Sequence, residues 1–273
     1  MAIGDNSGYV LLKYLVILHG ICPVKENCLQ MGVNKADIMA RLQREILPLQ
    51  GYHAASRRLS SVDLGPVNAA FPGGCFPVGA VHEFLAFRPE DNAATAGFIS
   101  GITSSLIRNT GVIVWISAYS HLYAPGFVPF GIQPDRIIFI HPQKPKDRLW
   151  AMEEALRCEG LSAVVCETED LAFTESRRFQ LAVEQSRVTG FVVRRDARKL
   201  STTACIARWK ISSIATETED DLPGIGFPRW KVELLRVRNG KSGVWDLEWA
   251  GKKFQPVMYP TTEQHELLKR KTG

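Results

Sequence analysis

The chain has 273 residues, 45% hydrophobic and 22% charged. That suits one α/β domain with appendages or two small domains, and it excludes a disordered chain. The net charge of +5 is compatible with nucleic acid without requiring it. Six scattered cysteines, Cys22, Cys28, Cys75, Cys158, Cys166 and Cys205, contain no CxxC pair. This argues against structural zinc and a disulfide framework, and fits reduced thiols in a cytoplasm.

Residues 9–21, YVLLKYLVILHGI, are apolar. Lys13 interrupts them, Asp5 precedes them, and they fall short of the ~20 residues a membrane span needs. They also lack the positive leading region of a signal peptide. The reading is that 1–30 is an upstream or disordered extension and that translation starts at Met31. Within 31–60, Asn34 caps a helix over Lys35 to Gln50, with Ile38, Leu42, Ile46 and Leu49 on one face. That face either packs on its own core or docks on a partner. The second reading makes these four residues candidate partner contacts. A polar segment from His53 to Ser61 joins the helix to the main domain, 61–250.

Phe71 to Gly79, FPGGCFPVG, is a tight turn built from Gly and Pro. Ala80 to Leu85 reads as a strand and Ala94 to Arg108 as a helix. The residues between them stand where a phosphate-binding loop would be. That loop needs GxxxxGK[ST], because backbone N–H groups cradle phosphate, Lys reaches it, and the hydroxyl holds Mg²⁺. Here it reads Ala86, Phe87, Arg88, Pro89, Glu90, Asp91, Asn92, Ala93, Ala94, Thr95, with no Gly, no Lys and two acids. No cofactor or metal is assigned. His82 and His121 read as ordinary core or loop residues.

Apolar strands then alternate with helices. Strands are expected at 111–116, 135–140, 162–166 and 190–193, and helices at 145–157 and 174–185. The alternation predicts a mostly parallel sheet with helices on both faces. From Ala204 the pattern becomes alternating, with strands at 204–211, 230–237 and 244–249 and a hairpin at Asn239-Gly240. An antiparallel meander therefore extends the sheet, and 251–273 reads as a flexible tail. Arg194, Arg195, Arg198 and Lys199 follow the fifth strand as a solvated basic loop or as candidate DNA contacts. Trp245, Trp249 and Phe254 lie near the late sheet edge and are candidate partner contacts by strand addition. Glu153 and Glu154 read as a solvated helix face.

This order of motifs resembles the RecA-type ATPase core from about Asn34 to Gln255. Residues 72–84, PGGCFPVGAVHEF, resemble the turn and strand before RecA's phosphate loop. Tyr119 stands where RecA has its catalytic glutamate, and Glu167 where it has a Mg²⁺-associated aspartate. The resemblance thus implies a RecA-like fold with a degenerate phosphate loop and no efficient hydrolysis. REILPLQG (44–51), RLWAMEEALRC (148–158), SRRFQLA (176–182) and PRWKVELLRVRNGKSGVWDLEW (228–249) further resemble the ImuA family. That implies a non-catalytic accessory protein of SOS-induced mutagenesis and translesion synthesis. Its implied partners are an inactive ImuB-type Y-family-like polymerase homologue, an error-prone replicative-type polymerase, RecA, and single-stranded or damaged DNA. The rivals are a SulA-like inhibitor of the tubulin-like division protein and an atypical RecA-like ATPase.

Overall fold

A computed structural model describes residues 41–42, 62–107, 111–119, 122–196, 200–216 and 226–259. In the unit Met1–Ile46, Arg41 and Leu42 are described, both helical; the other described residues belong to the unit Leu47–Gly273.

The sheet grows outward from β1 (Val81–Ala86), whose six residues are all buried. Parallel neighbours flank it on both sides: β5 (Thr189–Arg195) and β6 (Ala207–Ser213). Beyond β5 come β4 (Leu161–Thr168), β2 (Val112–Ile116) and β3 (Ile137–Ile140), all parallel. Beyond β6 run the antiparallel strands β7 (Arg229–Val237), β8 (Gly243–Ala250) and β9 (Lys253–Pro256). The nine-stranded order is β3-β2-β4-β5-β1-β6-β7-β8-β9. This is the α/β class expected from the sequence, a mostly parallel core with an antiparallel extension.

Helices cover both faces because the parallel strands are apolar on both. On one side, α1 (Pro89–Leu106) packs Phe98, Ile99 and Ile102 into a core with Phe84, Trp115 and Trp209. The rings of Phe84 and Trp209 stack with centroids 5.8 Å apart. On the other side, α2 (Pro145–Leu156) and α3 (Phe173–Ser186) bury Met152, Leu156, Phe179 and Val183 against Val81, Val164 and Val192.

The turn before β1 takes the left-handed backbone its glycines permit: φ is 75° at Gly73, 69° at Gly74 and 63° at Gly79. His82 sits at the base of this turn, fully buried and stacked on Phe76 at 4.4 Å. Its Nε2 faces the Pro77 carbonyl at 2.8 Å, and Trp209 Nε1 donates to its Nδ1 at 3.3 Å. Burial pushes its pKa down from 6.5 to about 4, so the ring is neutral. His82 is a satisfied core residue, as the sequence suggests.

Three of the boundaries that move bear on the site and the sheet edge. The helix after β1 begins at Pro89, not Ala94. β5 continues through Arg195, so Arg194 and Arg195 are strand residues rather than loop residues. The tail's first residues form β9, so the sheet ends at Pro256 rather than near 250.

Candidate functional site

The connection between β1 and α1 is two residues, Phe87 and Arg88. The expected ten-residue loop therefore dissolves. Ala86 closes the strand, and Pro89, Glu90, Asp91, Asn92, Ala93, Ala94 and Thr95 form the first turns of the helix. Proline at the first position presets φ, and acids in the first turn complement the helix dipole. Asp91 is 1% exposed. It accepts from the Arg88 backbone N–H at 3.2 Å and from Arg88 Nη2 at 3.2 Å. A helix N-terminus is where a phosphate would gather donors; here the chain's own carboxylate already takes one of them, the Arg88 N–H. Thr95 is fully buried, with its hydroxyl turned into the core.

At the carboxyl ends of the neighbouring strands a second polar group fills the corresponding space. Trp115, Val165 and Val193 lie in the α1-side core. By strand alternation Glu167 and Arg195 share that face. Glu167 accepts from Trp115 Nε1 at 3.0 Å and from the Ser117 hydroxyl at 3.1 Å, and it pairs with Arg195 at 3.2 Å. Arg195 lies over the Tyr119 ring, 5.2 Å from its centroid, a cation–π arrangement. The Tyr119 N–H in turn donates to Ser117 Oγ at 3.2 Å. Residues the sequence assigned to different roles, Glu167, Tyr119 and Arg195, thus form one network. Its acid is held by indole, hydroxyl and guanidinium.

On the opposite face lies a cluster that sequence reasoning missed. Glu83 is fully buried in the middle of β1. Arg194 Nη1 donates to it at 3.1 Å, Arg208 Nε at 2.8 Å and the Thr203 hydroxyl at 2.7 Å. Arg194 also reaches Asp170 at 3.2 Å. The signal was available: a lone acid in the apolar run VHEFLA needs buried partners.

Of the candidate DNA contacts, Arg194 is buried and ion-paired, which removes it from that role, and Arg195 is engaged with Glu167. Arg198 and Lys199 lie outside the described residues. Of the candidate partner contacts, Trp249 and Phe254 are core residues, 4% and 5% exposed. They pack on each other at 4.8 Å, and Phe254 packs on Phe98 at 5.0 Å. The physical reason is that α1 extends across β6 to β9, and Gly101 lets Phe254 approach it: a Cβ there would lie 2.5 Å from the ring. Trp245 is half-buried against the same core. Leu42 is helical and exposed, whereas Ile38, Ile46 and Leu49 lie outside the described residues.

Among the described residues, no group of three or more His, Cys, Asp or Glu side chains could hold a metal ion. No helix among them is long and apolar enough to cross a membrane.

No protein-family model matches the chain. It resembles the RadB recombinase structure with a TM-score of 0.47 and 12% identity, covering 68% of this chain and 94% of that one. It is also similar to Protein ImuA of two strains of Caulobacter vibrioides, NA1000 / CB15N and ATCC 19089 / CIP 103742 / CB 15. Each match is 34% identical over 194 residues and covers 67% of this chain and 80% of the relative. On that identity and coverage, the chain belongs to the ImuA family.

Proposed function

We propose that the chain is a non-catalytic adaptor of DNA-damage-induced mutagenesis, a RecA-like core kept for its binding surfaces. Membership of the ImuA family supports the setting. Asp91 carries the non-catalytic reading. Its buried carboxylate takes the Arg88 N–H and guanidinium at the head of the helix, and a second anion there would meet like-charge repulsion in a site without Lys. The fixed Glu167 supports the same reading, because its oxygens are committed to Trp115, Ser117 and Arg195 rather than open to a hydrated Mg²⁺. Tyr119 supplies no carboxylate to activate water.

In this reading the chain works through protein contacts: the ImuB-type polymerase homologue, the error-prone replicative-type polymerase and RecA. Leu42, helical and exposed, is the described member of the proposed contact; the sequence pattern adds Ile38, Ile46 and Leu49, which lie outside the described residues. The test is affinity capture of the tagged chain from DNA-damaged cells. Recovery of the polymerase pair is the expected result. Recovery of the tubulin-like division protein without a polymerase would replace the adaptor with a division inhibitor.

A further inference from the structure

With Arg194 and Arg195 drawn into internal ion pairs, the exposed cationic chemistry lies elsewhere. A cleft of about 400 Å³ opens between α3, the segment leading into β6 and the end of β7. Phe173 and Arg177 line it from α3, and Arg236 and Arg238 from the end of β7. Arg236 Nη2 donates to the carbonyls of Thr203 at 2.8 Å and Cys205 at 3.2 Å. Arg238 Nη2 donates to the Ala204 carbonyl at 2.9 Å. The two backbone tethers on Arg236 hold its guanidinium in place without neutralising it. Arg177 and Arg236 are exposed, and among the described residues neither forms an ion pair. Phe173, on the first turn of α3, leaves 53% of its surface in water beside them.

Guanidiniums, one of them tethered, next to an open aromatic ring are the two components of a single-strand platform: cations for the phosphates and a ring for a base. We propose that this cleft binds a single-stranded phosphodiester chain, with Arg177 and Arg236 on successive phosphates and Phe173 under a base. An acidic polypeptide would satisfy the arginines but has no base to lay on the ring. The inference is independent of the protein partners named above, and it moves nucleic-acid contact away from the end of β5.

The test is fluorescence anisotropy of the full chain with a labelled oligo-dT of about 15 nucleotides, titrated from about 50 to about 200 mM salt. Arg177→Gln and Arg236→Gln are each expected to weaken binding about tenfold. Each should also flatten the slope of log K against log salt by about 0.7, the share of one phosphate contact on a single strand. Phe173→Ala should weaken binding without changing that slope. Arg177 has no side-chain hydrogen bond among the described residues, so its variant keeps the fold and carries the test even if Arg236→Gln does not. The proposal is overturned if the wild-type chain does not bind, or if folded Arg177→Gln binds with unchanged affinity and slope. It is equally overturned if Arg198→Gln with Lys199→Gln is the variant that abolishes binding. Displacement of the strand by low pyrophosphate would assign the cleft to free phosphate, and Arg236-dependent binding of polyglutamate in preference to oligo-dT would assign it to acidic polypeptides.

Discussion

Glu83→Ala removes the one carboxylate shared by Arg194 and Arg208. The two guanidiniums have side chains 2% and 12% exposed, so water cannot replace the lost partner at either. Asp170 stays 3.2 Å from Arg194, but it is 83% exposed and screened by solvent. Breaking a buried pair from one side costs about 3–5 kcal/mol, and the Thr203 hydroxyl loses its 2.7 Å acceptor as well. That is a large part of the 5–15 kcal/mol, roughly, that holds a domain folded. Urea denaturation followed by far-UV circular dichroism reads it as a lower midpoint at unchanged slope. Glu83→Met with Arg194→Met is expected to cost less than Glu83→Ala alone, because Arg208 is then the one guanidinium of the cluster left without its carboxylate instead of two. A loss below about 1 kcal/mol for Glu83→Ala would refute the claim that this cluster is a buried, mutually compensated charge group.

Phe254→Ala should destabilise the domain by about 3–5 kcal/mol, measured in the same denaturation assay; a stable variant that loses a partner would restore the sheet edge as a docking surface. Stability should fall with pH through His82. The unfolded ring takes a proton below 6.5 while the buried ring resists until about 4, so stability is lost across that window by up to about 3 kcal/mol. Urea midpoints against pH should therefore be flatter for His82→Phe, and an unchanged slope would remove His82 as the cause. Leu42→Asp with Ile46→Asp should abolish capture of the polymerase partners while leaving the domain's melting temperature intact; an unfolded variant would instead make the helix part of a core.

The alternation of apolar runs and helical stretches was legible, because strands buried on both faces must be apolar throughout. What failed was the treatment of charge. The run GFVV ends at Arg194 in a hydrophobicity pattern, yet the strand continues, since Glu83 and Glu167 on adjacent strands neutralise Arg194 and Arg195. Such pairing is a long-range fact invisible to periodicity. The start of α1 was readable from Pro89 followed by Asp91, although these residues stand where a phosphate loop would be. Trp249 and Phe254 looked available because they stand at the late edge of the sheet. Their fate was recorded instead in α1, where Gly97 and Gly101 have no side chains because the rings of Trp230, Trp249 and Phe254 press against them.

The central claim is that the nucleotide position is filled by the chain's own groups and that the core acts by binding. Calorimetric titration of the purified full chain with Mg-ATP, with a hydrolysis assay on the same sample in the presence of single-stranded DNA, tests it most directly. The expected result is no saturable heat and no turnover. Tight Mg-ATP binding with measurable hydrolysis would contradict the account.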